Sequence, residues 1–108
     1  MKKEFRLKKT RDFVTVFKEG KKLKSPHFIL YMRENSLSHP RLGVSVSKSH
    51  VKLATRRNRL KRLTKELFRQ ELIPRFKSHD FVLASRLAAP KQEFDQVLKE
   101  IKDLIIKV

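Results

Sequence analysis

The sequence contains no cysteine and no tryptophan, and it has only two glycines and four prolines among its 108 residues. The lack of cysteine excludes disulfide bonds and thiolate metal sites, and nothing points to an oxidising compartment. Because glycine and proline are so few, no linker or low-complexity tract is evident, and residues 1–108 are predicted to form a single domain. No apolar run approaches the ~20 residues of a membrane-spanning helix, and no apolar stretch follows the basic N-terminus as in a signal peptide. The cytoplasm is therefore the expected location, with no membrane partner.

Acidic residues are also scarce, and the chain is strongly basic. Lysine and arginine number 28 against 11 aspartates and glutamates, which gives a formal net charge of +17. Residues 1–25 hold ten basic and three acidic residues, and residues 48–69 hold nine basic residues and one acidic residue. Because self-repulsion of this size opposes a compact fold, the charge predicts two surfaces that contact a polyanion. Residues 1–9 are a candidate flexible basic arm.

The first half of the chain has the pattern of a short helix followed by strands. The helix is predicted to begin near Thr10, as its N-cap, and to end at Gly20. Residues 28–33 and 42–47 alternate apolar and polar side chains and predict two strands, which we expect to form an antiparallel pair. A third short strand is expected near residues 22–25.

The second half predicts a long helix, a strand and a final helix. Leucines at helical spacing indicate a helix from about residue 54 to residue 73, which Pro74 ends, and residues 80–85 have a strand pattern. The final helix is predicted from about Pro90. The predicted fold class is therefore α+β, a two-layer sandwich in the order helix, strands, helix, strand, helix, on a mostly antiparallel four-stranded sheet.

The predicted long helix is crowded with cations. Like charges four residues apart, such as Arg57 and Lys61, repel each other and destabilise an isolated helix. Phosphates would neutralise such a face, because guanidinium groups bind them bidentately and Asn58 can hydrogen-bond to phosphate, ribose or a base edge. An ordinary solvated face is the alternative, and the one-sided charge favours nucleic acid over it. The pattern does not distinguish RNA from DNA.

The aromatic pair Phe13 and Phe17 leaves two alternatives open. The two residues lie four apart on one face of the predicted first helix, and this spacing alone favours ordinary core packing. The other interpretation is a platform on which unpaired bases stack, together with Tyr31, which lies on the strand face opposite Phe28 and Leu30.

Several blocks of the sequence occur in a characteristic order. One block, residues 57–62, begins Arg-Asn-Arg, and the others are residues 6–17, 28–31, 41–48 and 80–84. Together they resemble the protein subunit of bacterial ribonuclease P, and residues 57–62 match the RNR motif of that family. The stretch from 49 to 56 departs from many members of that family because it contains no glycine, which leaves the loop geometry and the start of the helix open.

The resemblance implies a function and a division of labour. The family removes the 5′ leader of precursor tRNA as a ribonucleoprotein endoribonuclease, in which the RNA subunit with bound Mg²⁺ is the catalyst. The protein alone is expected to be non-catalytic, with no organic cofactor and no obligate protein partner. Its expected partners are the catalytic RNA and the precursor tRNA. The family fold also implies a left-handed β-α-β crossover through the long helix, against the general rule for such connections.

The resemblance also implies two sets of binding residues and no catalytic residue in the protein. The residues expected to contact the catalytic RNA are Lys52, Arg56, Arg57, Asn58, Arg59, Lys61, Arg62, Lys65 and Arg69. The residues expected to line a cleft for the single-stranded leader are Arg11, Phe13, Phe17, Tyr31, Ser45, Ser47, Lys48 and Arg86. With the resemblance added, the cleft becomes the favoured interpretation of Phe13 and Phe17. No metal-binding residue is identified.

Three other functions are compatible with parts of the sequence. A structural, ribosomal-type RNA-binding protein would share the size, charge and architecture, and only the ordered blocks disfavour it. A self-sufficient nuclease is disfavoured because the four histidines and the acidic residues form no catalytic or two-metal pattern. A membrane-active basic amphipath is disfavoured by the strand patterns.

Overall fold

The computed structural model describes residues 2–88 and 94–108. Within these residues the chain forms α1 (Thr10–Glu19), β1 (Lys21–Lys24), β2 (Phe28–Glu34), β3 (Arg41–Ser45), α2 (Ala54–Leu67), β4 (His79–Ser85) and α3 (Phe94–Ile106). A short 3-10 turn, Lys3–Phe5, precedes α1, and α2 continues into a π-helical turn, Phe68–Leu72. The predicted order of elements is confirmed, whereas the predicted helix start at Pro90 lies outside the described residues. No helix in these two ranges has the length and apolar character to cross a membrane.

The sheet has the strand order β1-β2-β4-β3. β2 pairs antiparallel with both β1 and β4, and β3 pairs parallel with β4, so most of the pairing is antiparallel, as predicted. The expected antiparallel pair of β2 and β3 is wrong, because β4 lies between them. β3 and β4 are instead the parallel strands of a β-α-β unit whose connection contains α2.

The main core lies between one face of the sheet and the helices α2 and α3. Phe28 and Leu30 of β2, Leu60 of α2 and Ile101 of α3 are buried to 1% exposure or less within one apolar cluster. Each such side chain contributes roughly 1.5–3 kcal/mol by its removal from water. The predicted sandwich of sheet and helices therefore consists of these two layers.

α1 lies on the opposite face of the sheet and adds a partial third layer. A smaller cluster of buried side chains joins Leu7, Val16 of α1 and Val82 of β4. Thr10 is the first residue of the helix rather than its N-cap, since Lys9 holds that position without a side-chain capping bond. Gly20 ends the helix as predicted.

The N-terminal residues and the glycine-free loop both follow defined paths. Leu7 N donates to Leu42 O at 3.0 Å, which ties the predicted basic arm to the outer edge of β3. In the loop, Val51 is buried in the main core, and Arg57 Nη1 donates to the carbonyls of Val51 and Lys52 at 2.9 Å each. This anchoring positions the start of α2 at Ala54.

Candidate nucleic-acid interface

α1 crosses the sheet and covers only part of its second face. Strand register places Tyr31, Val82 and Gly43 in one row across β2, β4 and β3, and the next row contains Lys24, Ile29, Ala84 and Ser45. The first row packs against α1, whereas in the second row Ser45 and Lys24 are exposed. The second row is therefore an open strip of sheet beside α1.

Three aromatic rings border this strip. The ring centroids of Phe17 and Tyr31 lie 4.9 Å apart at an interplanar angle of 72°, and those of Phe13 and Phe17 lie 6.4 Å apart. All three side chains are half-buried: they pack against the small cluster around Val16 and also keep surface open to solvent. Packing therefore orients the three rings, and stacking of unpaired bases on their exposed parts stays a prediction. We refer to the open strip and these three rings as the sheet cleft.

Gly43 determines where the ring of Phe13 can lie. A Cβ atom built at Gly43 would come within 2.5 Å of Phe13 Cε1 and Cζ, and within 3.3 Å of Leu7 Cβ. Carbon atoms in contact are normally 3.5–4.0 Å apart. The ring of Phe13 can rest against β3 only because residue 43 has no side chain, a dependence that the sequence pattern did not reveal.

Ion pairs fix α1 at both ends. Asp80, which is 2% exposed, accepts two hydrogen bonds from Arg41, from Nε at 2.8 Å and from Nη2 at 2.7 Å. Arg41 also contacts Asp12 of α1 at 3.4 Å, and its hydrogen bonds with Asp80 raise the pKa of Arg41. At the other end, Arg33 Nε donates to Glu19 Oε2 at 2.8 Å. The position of α1 over the sheet is therefore set by polar bridges as well as by apolar packing.

The predicted polar residues of the cleft lie at the end of the sheet where β3 and β4 stop. Ser45, Ser47 and Lys48 are exposed, and Ser47 N donates to Ser85 Oγ at 2.9 Å. Arg86 is also exposed, although its Nη1 donates to Ser25 O at 3.0 Å and thereby holds the turn between β1 and β2. The structure thus brings these residues to the end of the sheet that the open strip adjoins, with Ser45 on the β3 side of the strip and Arg86 beside the turn between β1 and β2.

The remaining cations near the cleft lie on α1 and β1. Arg11 is exposed in the first turn of α1. Lys22 and Lys24 were not among the predicted cleft residues, yet both are on the cleft face of β1, and Lys22 Nζ lies 5.8 Å from the centroid of Tyr31. Alternation along residues 21–24 could have placed Lys22 and Lys24 on one face, but only the strand register places them beside Tyr31.

The residues of α2 and of the turn after it that are expected to contact the catalytic RNA divide into two groups. The first group already has partners within the protein: Arg57 holds the preceding loop, the guanidiniums of Arg56 and Arg59 lie 5.0 and 5.7 Å from the ring centroid of Phe94, and Arg69 pairs with Glu66. The hydrogen bond from Arg69 lowers the pKa of Glu66. These side chains stabilise α2 against its neighbours as well as adding positive charge.

The second group forms a continuous surface. Asn58, Lys61, Arg62 and Lys65 line a shallow depression of about 450 Å³ together with Thr55. We refer to these four residues as the basic face. Four of the nine residues in the predicted set therefore line this depression, and Lys52 is exposed just before α2.

The histidines form no metal centre in the described part of the chain. His27 Nδ1 lies 2.8 Å from Glu100 Oε1, and His50 Nδ1 lies 2.7 Å from Ser85 Oγ. No group of three or more histidine, cysteine, aspartate or glutamate side chains within residues 2–88 and 94–108 could hold a metal ion.

Known proteins are similar to this chain in both sequence and fold. The family model described as Ribonuclease P matches residues 1–108. The ribonuclease P protein component of Aliivibrio salmonicida is 40% identical over 104 residues, which cover 92% of this chain and 86% of that protein. Two solved structures also match: the RNase P protein of Staphylococcus aureus has a TM-score of 0.76 at 28% identity, covering 96% of this chain and 91% of that one. The RNase P protein of Thermotoga maritima has a TM-score of 0.70 at 33% identity, covering 95% and 96%.

The fold and the two surfaces define a class, that of small, basic α+β proteins with a nucleic-acid-binding interface. The sequence and structural matches narrow that class to one family. The chain belongs to the ribonuclease P protein family. This membership favours the ribonuclease P interpretation over the ribosomal-type alternative.

Proposed function

We propose that this chain is the protein subunit of a ribonuclease P ribonucleoprotein in the cytoplasm. It binds the catalytic RNA through α2 and the single-stranded 5′ leader of precursor tRNA through the sheet cleft. The RNA subunit, with its bound Mg²⁺, performs the cleavage, and the protein raises the affinity for substrate and for magnesium. The observation that carries the proposal is the open strip of sheet bordered by oriented aromatic rings and cations.

The sheet cleft suits a single strand because its contacts do not depend on base identity. Every base has a π face, and stacking on rings such as those of Phe17 and Tyr31 tolerates any sequence. Lys22, Lys24 and Arg11 supply positive charge for the phosphates on either side of the rings. A base-paired RNA helix could not present its bases to these rings without unstacking, so the cleft favours an unpaired leader over the body of the tRNA.

The basic face of α2 suits a folded RNA. Its lysines and Arg62 present charges to phosphates, and Asn58 adds a group that can both donate and accept hydrogen bonds. The partnered arginines support this surface, because Arg56 and Arg59 hold α2 against Phe94. The basic face and the sheet cleft belong to different elements, so one molecule can contact both RNAs at once.

We assign the cleavage step to the RNA subunit and the binding contacts to this chain. What the chain supplies is positive charge and stacking surface, and both act on binding.

A leader-length series tests the proposal. Precursor tRNAs with leaders of increasing length would be titrated with holoenzyme reconstituted from the protein and its ribonuclease P RNA. Affinity should rise as the leader becomes long enough to enter the cleft, and Phe17→Ala should remove about 1–3 kcal/mol of that gain without weakening the binding of mature tRNA. Val14→Ala is the matched control, because Val14 is on α1 but is 41% exposed and outside the small cluster. If Phe17→Ala shows the same dependence of affinity on leader length as wild type, the ring of Phe17 has only a structural role.

A further inference from the structure

A hollow lies beyond the C-terminal part of the basic face. It has a volume of about 720 Å³ and is lined by Lys2, Phe5, Arg62, Lys65, Glu66, Arg69 and Ile73. We refer to it as the terminal hollow. Its walls come from two parts of the chain, Lys2 and Phe5 at the N-terminus and the C-terminal part of α2 with the residues after it.

The terminal hollow is positioned by the anchoring of the N-terminal segment. The parallel bridge between Arg6 and Leu42 and the burial of Leu7 hold that segment beside the sheet. The path of this segment also sets the position of Phe5, whose ring packs against the main core with its centroid 5.8 Å from that of the His39 ring. The apolar floor of the hollow is therefore fixed by packing against the main core, whereas its rim consists largely of exposed charged side chains.

Its composition combines an apolar floor with a charged rim. Phe5 and Ile73 are half-buried against the main core, and four cations with one carboxylate surround them. Glu66 is paired with Arg69, so the charges of Lys2, Arg62 and Lys65 are the excess. A concave site of this volume, mostly apolar with a few polar groups, is typical of small-ligand sites, and the excess charge selects an anion. An aromatic ring beside cations matches a nucleotide, which has a flat base and a phosphate.

The hollow is continuous with the basic face. Arg62 and Lys65 line both the shallow depression of α2 and the terminal hollow. An RNA backbone that follows the basic face would therefore bring its next nucleotide to the hollow. We propose that the terminal hollow receives one unpaired nucleobase of the RNA bound along α2, with the base against Phe5 and its phosphate between Arg62 and Lys65. This inference rests on the proposed function, since it requires an RNA on the basic face.

The test compares two phenylalanine variants of the full-length protein. Phe5→Leu keeps an apolar side chain on the floor and removes the stacking ring. Phe76→Leu is the matched control, because Phe76 is also half-buried against the main core but lines a different depression with Glu34 and Ser78. For each variant, the affinity for ribonuclease P RNA and for an unrelated RNA of equal length would be measured, followed by base-specific chemical probing of the bound ribonuclease P RNA.

The expected result is a specific loss in Phe5→Leu. Its affinity for ribonuclease P RNA should fall about fivefold or more, the lower end of one stacked base, and one unpaired nucleotide protected by wild type should become reactive. Phe76→Leu should retain both the affinity and the protection. Equal losses in the two variants, or wild-type affinity and protection in Phe5→Leu, would overturn the inference. If wild type does not prefer ribonuclease P RNA over the unrelated RNA, the proposed function itself fails.

Discussion

Gly43→Ala should weaken leader binding although residue 43 need not touch the leader. The new methyl group would lie 2.5 Å from two ring atoms of Phe13, so the ring must move by about 1 Å or more to reach ordinary contact distance. Phe13 would then either strain the small cluster or rotate away from Phe17. In both cases the aromatic border of the sheet cleft is displaced.

The size of the effect follows from these two possibilities. Overpacking a well-filled site costs about 1–3 kcal/mol of folding free energy, which bounds the expected loss of stability if the ring stays. Loss of one stacked base costs about 1–3 kcal/mol of binding free energy, or roughly a 5- to 150-fold weaker affinity. The leader-dependent part of the affinity should fall by an amount in that range, and the binding of mature tRNA should not change.

A double-mutant cycle isolates the role of Phe13. The dissociation constant of reconstituted holoenzyme would be measured with leader-bearing precursor and with mature tRNA, for Gly43→Ala, Phe13→Ala and the double variant. In the Phe13→Ala background, Gly43→Ala should have little further effect because the ring that it displaces is gone. Val14→Ala is the control, since Val14 is also on α1 but is exposed and lies outside the small cluster. An undiminished effect of Gly43→Ala without Phe13 would refute the reasoning.

Three further results are expected. Arg41→Ala should lower the free energy of unfolding by about 3–5 kcal/mol, because it removes the cation paired with the buried Asp80 carboxylate; a loss below 1 kcal/mol in urea unfolding would contradict this. If about six phosphates are neutralised, the logarithm of the affinity for the catalytic RNA should fall against the logarithm of salt concentration with a slope of about −4 to −5, and a slope near −1 would argue against α2 as the main RNA surface. Burial alone would raise the pKa of Glu100, but hydrogen bonds from Ser25 and His27 outweigh it and lower that pKa. The resulting stabilisation is complete above the unfolded-state pKa of about 4.3 and is lost as pH falls through the lower folded-state pKa, so Glu100→Gln should reduce the acid dependence of urea unfolding. An unchanged acid dependence would assign it to other carboxylates.

Local patterns predicted the elements of this fold and the faces of its strands. Alternation along β2 placed Tyr31 opposite Phe28 and Leu30, and the structure has Tyr31 in the small cluster and the other two in the main core. Alternation cannot predict which strands are neighbours, because it fixes a face and not a partner. β4 lies between β2 and β3, and this pairing of segments far apart along the chain is not encoded in any single segment.

The same limit applies to the candidate site: features formed by residues close together along the chain can be predicted, and contacts between distant residues cannot. The aromatic pair and the basic helix are visible in the sequence because their members are close together along the chain. The bond between Arg41 and Asp80 spans 39 residues, and the contact of Gly43 with Phe13 spans 30, so neither has a local pattern. The role of Arg57 was also hidden, since charge alone does not distinguish an arginine that binds RNA from one that holds a loop.

The most direct test of the central claim is cleavage of a leader-bearing precursor tRNA at low magnesium concentration. Three reactions would be compared: the protein alone, ribonuclease P RNA alone, and the two together. Efficient removal of the leader is expected only when both are present. Cleavage by the protein alone would reveal catalytic residues in the protein, and failure of the protein to assist the RNA would contradict its role as a ribonuclease P subunit.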